Sequence, residues 1–146
     1  MPHLHTQSVV FVYGTLKEGF ANFHVNAGRR IAGEFETVER FPLFILGKYY
    51  IPWLVQQPGK GEHVLGQLFN IDAAGLAKLD KLEREGEPGW FVRRKVLVRR
   101  YEAPMSGQRS ALVYFGAAAR IHVDIVHAGP LKEFNSTHDA QYRRAV

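Results

Sequence analysis

A carboxylate drawn into an apolar helix face is the feature of this chain best suited to do chemistry. Residues 71–83, wound at about 100° per residue, stack Leu76, Leu79 and Leu82 on one side. Glu83 follows Leu79 by four residues and Leu76 by seven, so it shares their face while Lys78, Lys81 and Glu85 point elsewhere. A carboxylate against a core is costly unless a partner or a task offsets it. In a partly apolar cleft its proton affinity rises above that of a free glutamate, and it can act first as a base and then as an acid. Two framework readings stand beside this one: Glu83 turns outward past the last helical turn, or it pairs with Arg84 or Arg93.

A second group lies near the start of the chain. Ser8-Val9-Val10-Phe11-Val12-Tyr13 reads as a buried strand, stopping at Gly14-Thr15-Leu16-Lys17-Glu18-Gly19, where two glycines let the backbone turn sharply. Tyr13-Gly14-Thr15-Leu16 is too short for a dinucleotide fingerprint and lacks the phosphate-loop pattern. It is either an ordinary turn or one whose N–H groups converge on a single anion such as a carboxylate. Tyr49-Tyr50-Ile51-Pro52-Trp53-Leu54 is either a core edge or, through Ile51, Pro52 and Trp53, a pocket wall for a small substrate's side chain. Phe91 would add further apolar surface.

Composition narrows the chemistry. The 146 residues, 46% of them apolar, suit one domain with a sizeable core, here 1–146, and no stretch is long enough to span a bilayer. The start lacks the basic and apolar run of a secretory signal, so a cytoplasmic address is expected. The absence of cysteine excludes disulfides, thiolate catalysis and cysteine-ligated metals. Seven histidines form no ligand cluster, so no metal is expected. The net charge of +5 owes much to Arg93, Arg94, Lys95, Arg99 and Arg100. On a strand these alternate between faces, which makes a solvated sheet edge a better reading than a nucleic-acid footprint.

The elements that must position these residues are short. Strands are expected at 8–13, 41–46, 53–57, 63–70, 92–101 and 110–115, and a helical turn or two at 20–27. A helix over 76–83 is capped by Asp72 and barred from extension by Gly86-Glu87-Pro88-Gly89. Many short strands with one or two helices predict an α+β fold, a small, strongly curved sheet or barrel carrying helices. The tail over 121–146 either packs over an opening of the barrel or is flexible.

Five blocks in order, Val10-Phe11-Val12-Tyr13-Gly14-Thr15-Leu16-Lys17, Phe41-Pro42-Leu43, Ile51-Pro52-Trp53-Leu54, Pro58-Gly59-Lys60-Gly61 and Leu79-Asp80-Lys81-Leu82-Glu83, together resemble the γ-glutamylcyclotransferase (AIG2-like) family. Within it the likeness is greatest to the members that act on γ-glutamylamines. The resemblance implies a small mixed or antiparallel barrel with flanking helices. It also implies a Tyr13-Gly14-Thr15-Leu16 turn that holds the α-carboxylate end of a γ-glutamyl group, and Glu83 as the acid/base. The implied reaction releases 5-oxoproline and a free amine from a small γ-glutamyl compound such as γ-glutamyl-ε-lysine, with no cofactor, metal, membrane or nucleic acid. Where family members carry Tyr-x-Arg after the glutamate, this chain has Phe91-Val92-Arg93, preceded by the longer segment Glu85-Gly86-Glu87-Pro88-Gly89-Trp90. Tyr142-Arg143 resembles a terminal stretch of the amine-specific members. The rival expectations are a non-catalytic metabolite-binding module on the same fold and a nucleic-acid-binding protein using the 93–100 strand.

Overall fold

Val10, Phe11 and Val12 are consecutive and all buried, at 0%, 1% and 3% exposure, which requires a strand covered on both faces. The computed structural model describes residues 6–143. Its elements are β1 (Gln7–Val12), β2 (Arg29–Thr37), β3 (Leu43–Leu46), β4 (Ile51–Leu54), β5 (Leu65–Asp72), α1 (Ala73–Glu83), β6 (Phe91–Arg100), β7 (Gln108–Gly116), β8 (Val126–Ala128) and α2 (Ser136–Gln141). A closed barrel runs β1-β5-β2-β6-β7 and is sealed by a parallel contact between β1 and β7, the other pairs being antiparallel. A second, three-stranded sheet has the order β4-β3-β8. The fold is therefore a small mixed barrel with two helices, as expected.

The period of two along each strand divides the apolar residues between two cores. Phe11, Leu68, Val96, Val98, Val113 and Phe115 join one core, to which all five barrel strands contribute. Val10, Val12, Phe69, Ile71 and Tyr114 face the other way and pack with Leu79 of α1 in a second core. Helix α1 begins where β5 ends, because the Asp72 carboxylate accepts the Gly75 N–H at 2.8 Å.

Several boundaries differ from expectation. Strand β2 has no counterpart among the expected strands: its first half is largely exposed, and its pairing with β5 slips between Ile31 and Phe35, around Gly33 at φ 107°. That irregularity removes the alternation by which a strand is read. Residues 55–57 and 63–64 are not strand, and residues 20–27 form turns and a short 3-10 helix at Phe23–Val25.

The tail packs against the body as far as residue 143. The buried ring of Phe134 belongs to the barrel core, and its carbonyl accepts the Lys17 ammonium. Asn135 caps α2, both Asp139 oxygens accept the Ala21 N–H at 3.1 Å, and the Arg143 N–H reaches the Tyr49 carbonyl at 2.8 Å. Expectations for residues 144–146 lie outside the described residues.

Candidate active site

Glu83 is the last residue of α1, and the next residue fixes where its side chain goes. Arg84 adopts the left-handed conformation (φ 54°, ψ 45°). Its N–H bonds the Lys81 carbonyl at 3.2 Å, and the Glu85 N–H bonds the Asp80 carbonyl at 2.9 Å. This is a Schellman stop made with arginine where glycine is usual, a conformation costing roughly 1 kcal/mol. The helix thus ends with Glu83 on its inner side, against a cavity of about 110 Å³.

Both arginines that could have neutralised Glu83 are committed elsewhere. Arg93 Nη1 bonds both oxygens of Asp80, at 2.9 and 2.7 Å. Arg84 bonds Glu87 at 3.1 Å and lies over the Trp90 ring at 4.4 Å. Glu83 itself has no hydrogen bond or ion pair to another described residue. Its carboxyl is half-buried, keeping a window onto the cavity while protein surrounds the rest. Burial pushes its pKa up to about 7.

Two phenols frame this acid. Tyr13, 7% exposed, donates to the Tyr114 carbonyl at 2.7 Å, and Tyr114 donates to Asp80 Oδ1 at 2.7 Å. Burial and then the charge of Glu83 hold the Tyr13 hydroxyl well above the ordinary tyrosine range. Burial, followed by the bond to Asp80, does the same for Tyr114. Both therefore stay protonated near neutral pH.

Across the cavity lies the turn after β1. The Lys17 N–H closes it on the Gly14 carbonyl at 3.1 Å, leaving the N–H groups of Gly14, Thr15 and Leu16 without a partner among the described residues. A Cβ on Gly14 would lie 2.7 Å from Pro52 Cγ, so only glycine lets the turn approach the β4 wall this closely. Uncommitted N–H groups on a tight turn are an anion cradle. Glu83 and the turn thus share one cleft, an arrangement that suits transfer of a proton within a small anionic molecule.

Residues 10–136 match the family described as Gamma-glutamyl cyclotransferase, AIG2-like. The chain belongs to this family. Curated relatives include gamma-glutamylaminecyclotransferases from Rattus norvegicus, 41% identical over 95 residues (62% of this chain and 62% of the relative), and Homo sapiens, 41% identical over 83 residues (52% and 53%). The matched stretch spans between about half and three-fifths of these relatives' length. A crystal structure of an AIG2-like protein from Mus musculus superposes with a TM-score of 0.75 at 31% identity, covering 97% of each chain.

On this AIG2-like fold, Tyr13, Gly14, Thr15, Leu16, Ile51, Pro52, Glu83 and Phe91 all line the same cavity. Trp53 does not, which corrects its expected place in the pocket wall. It is 2% exposed, donates its indole N–H to the Ala117 carbonyl at 2.9 Å and packs on the Phe91 ring with centroids 4.5 Å apart. It also lies over Gly116, where a Cβ would come within 2.4 Å of the indole. Trp53 supports the wall from behind: Ile51 and Pro52 line the cavity, while Trp53 packs into the core under Phe91.

Sequence reasoning did not single out Asn22, Trp90 and Tyr114, which also line the cavity, and named Tyr142, a fourth, only in the tail and in its Tyr142-Arg143 resemblance. Tyr114 was readable only as one more aromatic in a strand, and Asn22 as a polar residue in a short loop. Trp90 and Tyr142 stood in segments noted for other reasons, the long 85–90 loop and the tail. Among the described residues no cluster of three or more His, Asp or Glu side chains is arranged to hold a metal ion, and no helix is long and apolar enough to cross a membrane.

Proposed function

We propose that this protein is an intramolecular cyclotransferase that converts a γ-glutamylamine, such as γ-glutamyl-ε-lysine, into 5-oxoproline and a free amine. The observation that carries this reading is an unpaired, half-buried Glu83 sharing one cavity with the free N–H groups of Gly14, Thr15 and Leu16. The turn receives the α-carboxylate of the glutamyl group, and Ile51, Pro52 and Phe91 flank its methylene chain. Glu83 takes a proton from the α-ammonium, and the freed amine attacks the γ-carbonyl carbon of the same molecule. A carbon–nitrogen bond forms, the five-membered lactam closes, and the bond to the departing nitrogen breaks. The two protons that the nucleophilic nitrogen loses are the two that the leaving amine gains, with Glu83 as carrier.

Because nucleophile and electrophile belong to one substrate, most of the catalytic task is to hold the reactive rotamer. An acid titrating near 7 suits a carrier that must accept and release within one cycle. A pocket that only bound a metabolite would gain nothing from an unpaired buried carboxylate, which repels an anionic guest. Arg93 and Arg99 of the basic strand are spent on Asp80 and Glu36, the latter pair at 2.8 Å, which weakens a nucleic-acid reading.

Glu83→Gln retains shape and removes the carrier. In a panel of γ-glutamylamines and γ-glutamyl dipeptides, the variant should release 5-oxoproline roughly 100- to 10,000-fold more slowly while remaining folded. Turnover equal to the parent protein would remove Glu83 from the mechanism.

A further inference from the structure

Asn22, 2% exposed, lies beside the cavity and is bonded to Thr15 twice over. Its backbone N–H donates to the Thr15 carbonyl at 2.8 Å and its side-chain nitrogen to Thr15 Oγ1 at 2.9 Å. The second proton of that nitrogen goes to the hydroxyl of Tyr142, at 3.1 Å. In this amide orientation, which leaves Asn22 Oδ1 buried with no partner among the described residues, both hydroxyls enter these bonds as acceptors. Each still has one proton to place, and neither gives it to another described residue. Thr15 and Tyr142 both line the cavity, on the same side as the free N–H groups of Gly14, Thr15 and Leu16.

Tyr142 reaches this position from a distant part of the sequence. It follows α2, which is held to the turn region by Asp139 on the Ala21 N–H, and it precedes Arg143, whose N–H is fixed to the Tyr49 carbonyl. The tail is thus anchored on both sides of the tyrosine. The hydroxyl is held by a bond rather than left to swing in solvent.

We propose that Tyr142 is a substrate-contacting residue whose hydroxyl, with that of Thr15, donates to the α-carboxylate of the bound γ-glutamyl group, and that Asn22 is the positioning residue that turns both protons inward. This rests on the cyclotransferase reading above and extends its carboxylate site from the turn to the tail. Neutral donors around one small concavity suit a singly charged, planar carboxylate.

Calorimetry with 5-oxoproline and with its carboxamide, pyroglutamide, separates the carboxylate contact from the rest of the pocket. The parent protein should prefer 5-oxoproline. Tyr142→Phe should lose about 10-fold in affinity for 5-oxoproline and little for pyroglutamide, as expected when one hydrogen bond to a charged group is removed. With γ-glutamyl-ε-lysine, KM should rise about 10-fold and kcat change less than about twofold, since the carboxylate does not change in the reaction. Asn22→Asp presents only acceptors, draws both hydroxyl protons back and adds a negative charge, so its loss for 5-oxoproline should exceed that of Tyr142→Phe. If Asn22→Asp fails to fold, Tyr142→Phe decides alone. Parent-like preference in a folded Tyr142→Phe or Asn22→Asp, beside an active parent protein, overturns this inference and leaves the cyclotransferase reading standing. A folded parent protein that neither binds 5-oxoproline nor turns over any γ-glutamyl compound overturns both.

Discussion

Glu83→Gln should make the protein more stable in alkaline solution while disabling it. Burial raises the Glu83 pKa from 4.5 to about 7. At about 1.4 kcal/mol per pKa unit, this corresponds to about 3 kcal/mol of cost for the ionised form, an upper bound because the cavity lets water reach the carboxyl. The sign follows from proton counting. Between pH 4.5 and about 7 the folded protein holds a proton on Glu83 that the unfolded chain has released, so this group's contribution to stability falls as pH rises through that window. Below the window both states are protonated and the cost vanishes; above it both are ionised and the cost is complete. Glutamine does not titrate. Urea unfolding of both proteins at intervals from pH 4.5 to 8 should therefore show a stability difference that is small at the acid end and grows in favour of Glu83→Gln to as much as about 3 kcal/mol. Every other titrating group is common to the two proteins, so the difference isolates Glu83. Parallel curves would show that the carboxyl is solvated like any surface glutamate, and the site as described would be wrong.

Three more outcomes follow from the same geometry. With Glu83 acting as base, kcat/KM for 5-oxoproline release should rise with pH through an apparent pKa near 7, and a flat profile from pH 5 to 9 would remove it from the rate-limiting proton transfer. Gly14→Val drives side-chain atoms into Pro52, since even a Cβ would sit 2.7 Å from Cγ; the turn must move, and affinity for 5-oxoproline should drop at least about 10-fold, whereas parent-like affinity would show that the turn does not contact the ligand. Trp53→Phe loses the bond to the Ala117 carbonyl and leaves a gap behind Phe91; it should lower thermal stability by roughly 1–3 kcal/mol with KM changed less than about threefold, and a large KM change with little loss of stability would return Trp53 to the cavity wall.

How much of this was legible depended on how local each signal was. The β1 strand and the Asp72 cap are written in patterns of a few residues, and both appear in the structure. The same patterns left Glu83 between facing inward, turning outward and pairing with an arginine, and the structure places it on the cavity. The arrangement of Glu83 and the turn around one cavity follows from β1 pairing antiparallel to β5, with Gln7 opposite Asp72 and Val12 opposite Gln67, a register that no local pattern prints. Strand β2 was lost to its slip at Gly33. Trp53 was misjudged because an aromatic beside a proline reads alike whether it faces the cavity or its back. Tyr142 and Asn22 meet across 120 positions, so neither residue type nor spacing could have joined them. The pairing of Arg93 with Asp80 rather than Glu83 turned on which of two carboxylates, one helical turn apart, faced the strand.

The anchoring of Tyr142 to Asn22 also sets the order in which the molecule can be completed. A chain emerging from the ribosome exposes the Gly14 turn and Glu83 long before residue 142 is made. A product that stops before residue 142 would lack the Tyr142 side of the cavity and the bond from Asn22.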